Sequence, residues 1–412
     1  MNRLQRHFAG NNYADILFLL MLIGLFFSRA LLSISQGLWI FWLIKDWKQI
    51  KVFSSPLLIW SGIVPLIGLL GCWQHFFQGN HFDYILTLLM YPIAFQVCFR
   101  IPKIKLQQWI VYIGIAGLIG IVYALVAYWQ HSNFWQQAYG AGQSLPTVMD
   151  GDHVRFGLFL CGTGCLLLTT NQFTIIRRVV LIGVLLFAIA FMAVRTAWVG
   201  ILLILLVYGL YHFFSNVKKT TKIFVVVLGL GTLLIFCFAY RYFPTTQQKW
   251  AYTRYDWKQF SQDKTSLQYS DGARRIINSL AWTEISKNDA TNLGWGNIAG
   301  SLRTAFEKAY PGNPVSFTWP FNQWLFWWMG AGWWGMLLFS VWLFYPIYSG
   351  CRPYRWGRIS WTLAIAASCL VESTLSFQYG VWIHAWICAI VIRMEDLQNL
   401  QIELLPKQSD NS

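Results

Sequence analysis

The feature that most constrains this chain is a series of long apolar segments that recurs along most of its length. A helix that crosses a bilayer needs about 20 predominantly apolar residues, with a range of roughly 17–25. Twelve segments reach or approach this length, at residues 14–28, 30–44, 56–73, 83–99, 107–129, 154–170, 175–193, 197–214, 223–240, 323–348, 359–373 and 379–392. The last two are short and the first two are closely joined, so eleven or ten spans stay open as alternatives. The sequence therefore predicts an all-α fold, a polytopic transmembrane helical bundle of about 12 spans.

The composition agrees with a membrane protein. Hydrophobic residues make up 56% of the 412 residues and charged residues only 11%, against about 25% charged residues in an average soluble domain. The 24 tryptophans suit the membrane–water interface, where Trp and Tyr are enriched. In a soluble protein the net charge of +15 would suggest nucleic acid, but Lys and Arg retained in cytoplasmic loops explain it here. We expect a lipid bilayer as partner and no nucleic acid.

The eight cysteines give no sign of a metal or a cofactor. Seven lie inside apolar runs and Cys351 lies beside one, and the sequence has no CxxC pair or Cys/His ligand spacing. Cysteines in such positions behave as small buried hydrophobic residues. The sequence also lacks Walker loops, nucleophile elbows and zincin pairs. We therefore expect neither a metal nor a cofactor.

The Lys and Arg residues of the short loops predict which side of the membrane each loop faces, because cytoplasmic loops are enriched in them. Basic groups occur in alternate loops, at residues 45–51, 100–105, 177–178, 218–222 and 352–358. The short loops on the opposite side, 74–82, 130–153 and 374–378, contain neither Lys nor Arg. We therefore expect a multi-pass protein with cytoplasmic N- and C-termini and an even number of spans.

One polar segment of about eighty residues, 241–322, interrupts the pattern, and the topology places it on the non-cytoplasmic side. A loop of this length is usually functional or disordered. Within it, Arg274 to Lys287 has the apolar spacing of an amphipathic helix, and Asp271 is placed to cap its start. The predicted organisation is an N-terminal transmembrane bundle of about nine spans, a large periplasmic loop with short helices, C-terminal transmembrane spans and a cytoplasmic tail, at 1–240, 241–322, 323–393 and 394–412.

Three arginines on the predicted outer side are candidates for binding an anion. Arg195 lies in a very short hairpin between two spans, and the other short outer loops are nearly free of positive charge. A snorkelling side chain is the alternative there, but the rigid fork of arginine suits phosphate. Arg274 and Arg275 open the amphipathic helix, where a solvated loop face is the alternative. Together the three arginines predict a clamp on a diphosphate.

A second group of candidates lies at the outer ends of two other spans. Asp152, His153 and Arg155 share the stretch DGDHVRFGLFL, and a histidine close to an arginine and carboxylates is an acid/base candidate near neutral pH. A structural role is the alternative for a single histidine at an interface. Glu372, at the edge of an apolar span, is expected to neutralise a neighbouring arginine, and Gln378 follows it as a supporting residue. An outward-facing anion site over a hydrophobic bundle suits a lipid-linked phosphate or diphosphate.

Five segments, taken in order, carry a resemblance to a known family. They are DHVRFGLFL, AVRTAWVG with Arg195, ARRIINSLAWTEISKN running on to GWGN, PFNQWLFWWMGAGWWGMLLF from Pro320, and LVESTLSFQYGV. Over residues from about 150 to 383, the chain resembles the O-antigen ligase and polymerase family of bacterial inner-membrane glycosyltransferases. In this resemblance the spacing favours Arg274 over Arg275 as the arginine of the loop helix.

The resemblance implies a GT-C-like membrane fold located in the bacterial inner membrane. It implies an undecaprenyl-diphosphate-linked glycan as donor, bound through outward-facing arginines, here Arg195, Arg274, Arg275 and Arg155, with no metal and no nucleotide sugar. The implied acceptor is lipid A–core in a ligase, another lipid-linked glycan in a polymerase, or a protein hydroxyl. The implied process is lipopolysaccharide or surface polysaccharide biosynthesis.

One position departs from the family pattern. Members place a histidine, thought to activate the acceptor hydroxyl, just before the asparagine of the re-entry segment, and here that pair is Phe321 and Asn322. His153 is the first substitute as catalytic base, with Asn322 as a further catalytic candidate, and the histidines in reserve are His75, His81, His131 and His384. An electrostatic mechanism without a strong base is an alternative. The rival interpretations are a transporter or flippase for the same lipid-linked glycans or a small anion, and an inactive relative that only binds the lipid carrier.

Overall fold

The computed structural model describes residues 13–45, 55–72, 82–215, 219–261, 270–287, 293–313, 318–349 and 355–404. Every regular element in these ranges is helical, so the predicted all-α fold class is confirmed. Six helices in the same ranges are long and apolar enough to cross a membrane, as a transmembrane helical protein requires. The count of about 12 spans and the sidedness of the long polar loop stay predictions.

The helices follow the predicted apolar segments closely. In chain order they are α1 (Tyr13–Phe27), α2 (Arg29–Lys45), α3 (Pro56–Gly68), α4 (Phe82–Leu88), α5 (Met90–Arg100), α6 (Lys103–Gln130), α7 (Ser132–Gly140), α8 (His153–Thr169), α9 (Ile175–Met192), α10 (Arg195–Phe214), α11 (Lys219–Tyr242), α12 (Pro244–Ser261), α13 (Ser270–Lys287), α14 (Ile298–Ala309), α15 (Gln323–Tyr348), α16 (Trp356–Val371) and α17 (Gln378–Leu404). Together α4 and α5 form one stretch of span length. The last helix is longer than predicted, because α17 continues into the residues assigned to a cytoplasmic tail.

The centre of the bundle is formed by α8 and α17. Every residue of α8 from Val154 to Thr169 is buried, as expected for a helix that is apolar on all sides. Its glycines allow close approach, since a Cβ on Gly162 would lie 3.0 Å from a side-chain carbon of Ile387 in α17. Small residues at helix contacts are typical of membrane bundles. By contrast, α11 leaves most of its apolar side chains exposed, which suits a helix that faces lipid.

The described part of the long polar segment is helical and packs on the bundle. The hydroxyls of Thr245 and Thr246, in the first turn of α12, donate to the carbonyls of Phe191 and Ala190 at 2.6 and 2.8 Å. These carbonyls belong to the last turn of α9, where the regular helical hydrogen bonds end, and that of Ala190 also accepts the N–H of Ala193 at 3.2 Å. The predicted amphipathic helix exists as α13, with the apolar residue Ile277 buried against the bundle. The polar segment therefore continues the packing of the bundle.

Trp295, in the GWGN sequence, anchors this segment to the bundle. Its side chain is only 2% exposed, and its indole N–H donates to the carbonyl of Gly68 at 2.7 Å. A Cβ on Gly71 or on Gly330 would lie 2.3 or 2.1 Å from the indole, so both positions admit only glycine without rearrangement. Gly294, just before the tryptophan, has φ 76° and ψ 151°, a conformation that side chains disfavour. The glycines in this region therefore allow the side chain of one tryptophan to pack closely against the backbone.

Ion pairs sort the helix ends into two groups. At one end the pairs are Arg29–Asp150, Arg195–Asp271 and Arg274–Glu372. At the other end they are Lys105–Asp15, Arg358–Glu395 and Arg358–Asp396. Each pair joins segments that the sequence analysis placed on the same side of the membrane. The pairing agrees with the predicted alternation of loops, while the assignment of one side to the periplasm still depends on the Lys and Arg bias.

The close packing of Trp295 against Gly330 predicts that a methyl group at this position lowers the stability of the protein. The Gly330→Ala variant would place its Cβ 2.1 Å from the indole ring, so the tryptophan must move. Because overpacking costs about 1–3 kcal/mol, we expect a melting temperature several degrees below the wild type, measured by tryptophan fluorescence in detergent. Gly114→Ala is the matched control, because nothing lies within 4 Å of a Cβ there. Equal melting temperatures for the two variants would contradict the anchoring role.

Candidate functional site

Charged residues from four separate segments meet around one cavity of about 440 Å³, which we call the arginine cavity. Its titratable lining residues are Arg29, Asp150, Asp152, His153, Arg155, Arg274 and Glu372. Its aromatic lining residues are Trp319, Phe321 and Phe377. The volume falls in the range of small-molecule sites, roughly 300–1,000 Å³. The structure therefore brings together four of the eight candidate site residues, His153, Arg155, Arg274 and Glu372, whereas Arg195, Arg275, Asn322 and Gln378 are not among the lining residues.

A turn of unusual backbone geometry leads into α8 and sets two of these side chains. Met149, Asp150 and Gly151 have φ values of 66°, 55° and 78°, all in the left-handed region. Such conformations cost of order 1–3 kcal/mol for non-glycine residues and persist where the surroundings enforce them. Met149 is fully buried, and its N–H donates to the carbonyl of Phe26 at 2.9 Å. The turn presents Asp150 and His153 to the cavity.

Arg155 is held by the cap of its own helix. Asp152 is the N-cap of α8, and its carboxylate accepts the backbone N–H of Arg155 at 3.1 Å and the Nη1–H at 2.7 Å. The Nη2–H donates to the carbonyl of Ser373 at 3.3 Å, and the guanidinium lies 4.5 Å over the ring of Phe377. The buried Nε–H has no hydrogen-bond partner in the described part of the chain. Arg155 is thus fixed in place, with one buried donor that no described residue satisfies.

His153 is neutral at physiological pH. Burial lowers its pKa from 6.5 to about 4, and the positive charge of Lys249 acts in the same direction, while Asp152 opposes the shift. A neutral imidazole has one nitrogen lone pair that accepts a proton. Arg274 and Arg155 also lower this pKa, so an anion that neutralises these arginines would raise it again. The strength of His153 as a base therefore depends on what occupies the cavity.

Arg274 lies in the cavity wall between a carboxylate and a ring. Its Nη2 is 2.5 Å from Oε1 of Glu372, and its guanidinium is 5.0 Å from the ring centre of Phe321. Arg275 is exposed on another face of α13, which agrees with the preference for Arg274 from the spacing. The expected neutralisation of an arginine by Glu372 is confirmed. Phe321, at the position where the family resemblance implies a histidine, lines the same cavity as His153.

Arg195 contacts a carboxylate instead of lining the cavity. Its Nη1 and Nη2 donate to the two oxygens of Asp271 at 2.6 and 2.7 Å, a bidentate pair. The predicted role of Asp271 as a cap before the helix is wrong, because α13 starts at Ser270 and Asp271 in its first turn binds Arg195 instead. Burial acts to raise the pKa of Asp271, but the hydrogen bonds and charge of Arg195 outweigh burial and hold the pKa below its ordinary value. Arg274 follows Asp271 by one turn, so the pair fixes the helix that carries Arg274.

Two residues of α12 complete the charged cluster, and the sequence analysis missed them. Burial lowers the pKa of Lys249 to about 8, with the charge of Arg195 acting in the same direction. Burial raises the pKa of Asp256 to about 6, with the negative charge of Asp271 acting in the same direction. The spacing of Lys249, Tyr252 and Asp256 puts them on one helix face, and this was the signal available in the sequence.

Asn322 and Gln378 have structural contacts outside the cavity. Asn322 is the N-cap of α15: its Oδ1 accepts the N–H groups of Trp324 and Leu325 at 2.9 and 3.1 Å, and its Nδ2 donates to the carbonyl of Leu370 at 3.0 Å. Gln378 donates to the hydroxyl of Ser33 at 3.0 Å. Both side chains therefore hold chain segments together, and the catalytic role of Asn322 stays a prediction.

Of the described histidines, only His153 lines the arginine cavity; His131, His212 and His384 do not. His131 is exposed on the connection between α6 and α7, and His384 is fully buried inside α17. His75 and His81 lie outside the described residues. The described residues also hold no group of three or more His, Cys, Asp or Glu side chains placed to bind a metal ion. The chemistry that the cavity offers is anion binding by arginines and proton acceptance by His153.

The pair between Arg195 and Asp271 predicts strong energetic coupling. We expect the double variant Arg195→Ala/Asp271→Ala to lose little more free energy of unfolding than either single variant, with a coupling of about 1 kcal/mol or more. The free energy of unfolding of all three variants is measured by titration with a denaturing detergent. Arg254→Ala combined with Asp271→Ala is the control, because Arg254 is exposed and its guanidinium lies over Trp250. If the double variant instead loses the sum of the free energies of unfolding lost by the two single variants, the two side chains act independently.

The depressed pKa of His153 predicts a pH-dependent stability. The unfolded histidine takes up a proton below about pH 6.5, whereas the folded one resists protonation down to about pH 4. The stability that depends on neutral His153 is therefore complete above this range and falls as the pH falls through it. We expect the melting temperature of the wild type to drop between neutral and mildly acidic pH more steeply than that of His153→Gln. Equal slopes for the two proteins would contradict the shift.

Comparison with known proteins supplies no relative from which to transfer a function. The sequence matches no protein-family model, and no curated protein is significantly similar to it. The resemblance to O-antigen ligases and polymerases therefore stays a prediction from the sequence segments.

Proposed function

We propose that this protein is a bacterial inner-membrane glycosyltransferase of the O-antigen ligase type. It transfers a glycan from undecaprenyl diphosphate to an acceptor hydroxyl on the periplasmic face. The observation that carries the proposal is the arginine cavity, in which Arg155 and Arg274 lie with a neutral His153 at the ends of apolar helices. Such a site offers anion binding and proton acceptance at one place.

The diphosphate of the donor binds to Arg274 and Arg155. Arginine presents five N–H donors in a fixed fork that matches phosphate oxygens, and the ion pair of Arg274 with Glu372 joins one terminal nitrogen to one oxygen. Arg155 contributes its unpartnered Nε–H. The cavity also receives the N-terminus of α8, whose partial positive charge favours an anion. The polyprenyl tail of the donor extends into the surrounding lipid.

Transfer is a single displacement at the anomeric carbon of the glycan. The acceptor oxygen forms a bond to this carbon while the bond from the carbon to the diphosphate oxygen breaks, and the electron pair leaves with the diphosphate. The acceptor hydroxyl gives its proton to His153, and Arg274 and Arg155 stabilise the charge that develops on the diphosphate. A single displacement inverts the anomeric configuration. Proton acceptance and stabilisation of the diphosphate are needed in both reactions of this type. The acceptor is lipid A–core in a ligase and a second lipid-linked glycan in a polymerase.

Arg195 has a positioning role in this proposal. The sequence analysis placed it in the clamp with Arg274, but its fork is occupied by Asp271 and its side chain does not line the cavity. It keeps α13 in the orientation that presents Arg274. The polar segment that contains α13 covers the site and contributes to acceptor choice.

The proposal predicts that Arg274→Ala abolishes most of the transfer activity. Removing one partner of a desolvated charge pair costs about 2–5 kcal/mol, so turnover should fall on the order of a hundredfold or more. The measurement is transfer in vitro from a purified undecaprenyl-diphosphate glycan to a glycan acceptor, by the protein in nanodiscs. Arg155→Ala should cause a loss of similar size, provided that α8 stays folded.

Arg254→Ala is the matched control for that experiment. It removes one positive charge from an exposed position on the same polar segment, and its activity should equal that of the wild type. Full activity of Arg274→Ala would contradict its role in binding the diphosphate. A wild type that binds undecaprenyl diphosphate but transfers no glycan would overturn the enzyme assignment and leave a transporter or a carrier-binding protein.

A further inference from the structure

We propose that Glu372 is a specificity-determining residue of the arginine cavity. It occupies Arg274 until a lipid-linked diphosphate displaces it, and it thereby excludes the singly charged phosphodiester headgroups of ordinary membrane lipids. The inference rests on the proposed function, because it takes the lipid-linked diphosphate as the ligand, and it adds which ligands the site rejects.

The cavity compensates its own charge in the absence of a ligand. Three of its lining arginines are each paired with a lining carboxylate: Arg29 with Asp150 at 2.8 Å, Arg155 with Asp152 at 2.7 Å and Arg274 with Glu372 at 2.5 Å. His153 is neutral at physiological pH, so the formal charges of the lining residues cancel. An entering anion therefore finds little net attraction and must replace a carboxylate that is already in place.

Glu372 is the carboxylate best placed to be replaced. Asp152 also caps α8 and belongs to the first turn of the same helix as Arg155, so its loss would loosen the helix start. Asp150 also accepts the hydroxyl of Tyr379 at 2.9 Å, and its pair with Arg29 is largely exposed to solvent. Glu372 follows the last turn of α16 and reaches Arg274 on a different helix through one N–O contact. Displacing it breaks one contact and leaves the helices intact.

Membrane lipids have direct access to this part of the cavity. Leu370 and Val371, immediately before Glu372, are 59% and 47% exposed. Phe377, which lines the cavity, is also exposed on its outer side. Exposed aliphatic residues at the end of an apolar helix are in contact with lipid in a bilayer. Phospholipid headgroups therefore lie beside Arg274 at far higher concentration than any lipid-linked glycan, and the site needs a means to reject them.

The charge of the ligand determines whether it can replace Glu372 at Arg274. A phosphodiester headgroup carries one negative charge, so taking the place of Glu372 exchanges one anion for another of equal charge and leaves a buried carboxylate unpaired. A lipid-linked diphosphate carries two negative charges on adjacent phosphates. Its second phosphate contacts Arg155, which lines the same cavity as Arg274. Only the diphosphate therefore gains a contact that offsets the displacement of Glu372.

The test measures binding of undecaprenyl diphosphate to the full-length protein in nanodiscs. The nanodiscs consist of phosphatidylcholine alone or of phosphatidylcholine mixed with phosphatidylglycerol, a singly charged phosphodiester lipid. For the wild type we expect the same affinity in both. Glu372→Gln keeps the shape of the side chain without its charge, and it should bind the diphosphate about tenfold or more tightly in phosphatidylcholine. That gain should disappear when phosphatidylglycerol is present, because the anionic lipid then competes for Arg274.

Two further variants separate loss of charge from loss of structure. Glu372→Asp keeps the charge, and its affinity should stay independent of phosphatidylglycerol. Glu395→Gln breaks another buried Arg–Glu pair at the opposite end of the bundle, and its binding should equal that of the wild type. The inference is overturned if Glu372→Gln binds no more tightly than the wild type, or if phosphatidylglycerol leaves its affinity unchanged. If the wild type and the variants bind the diphosphate as expected but the wild type transfers no glycan, only the proposed function is overturned.

Discussion

The bidentate pair between Arg195 and Asp271 determines where Arg274 lies, and the arrangement of the cavity depends on it. Arg195 is the first residue of α10, so its position is set by an apolar helix that packs one face against the bundle. Asp271 and Arg274 lie one turn apart on α13, and one end of that helix is thereby fixed relative to the bundle. Trp295 fixes the chain that follows α13. A loss of activity on removal of Arg195 would therefore resemble the loss of a ligand contact although its cause is the displacement of a helix.

The two ends of the bundle show different kinds of arginine–glutamate pair. At the Glu395 end, the carboxylate accepts the backbone N–H of Gly357 at 2.7 Å and the Nε–H of Arg358 at 2.7 Å, and the Nη2–H of the same arginine donates to Asp396 at 2.9 Å. Such a saturated network is costly to open because every group would lose a partner. The pair of Arg274 and Glu372 is a single contact at the wall of a cavity. The first pair suits a permanent connection between helices, and the second suits exchange with a ligand.

The sequence was sufficient to predict the helices and part of the site, because both depend on local pattern. Apolar segment length located the helices, and charge in an apolar context identified His153, Arg155, Arg274 and Glu372. What the sequence could not supply were distances between segments far apart in the chain. From the local sequence Asp271 is expected to be a helix cap. Its pairing with Arg195 becomes evident only when the structure places the two segments side by side. Asn322 looks catalytic by analogy, whereas its contacts are those of a cap, and both interpretations are compatible with the same local sequence.

The seating of Trp295 has a consequence for how the chain acquires its structure. Its indole lies between Gly71, next to α3, and Gly330 in α15, so it contacts residues that follow it in the chain as well as residues that precede it. The polar segment around α13 cannot complete its own core when it is synthesised, because α15 has not yet been made. Membrane insertion of the C-terminal helices must come before the final docking of this segment. The polar segment that lines the cavity therefore docks late, and the cavity is complete only after α15 has been inserted.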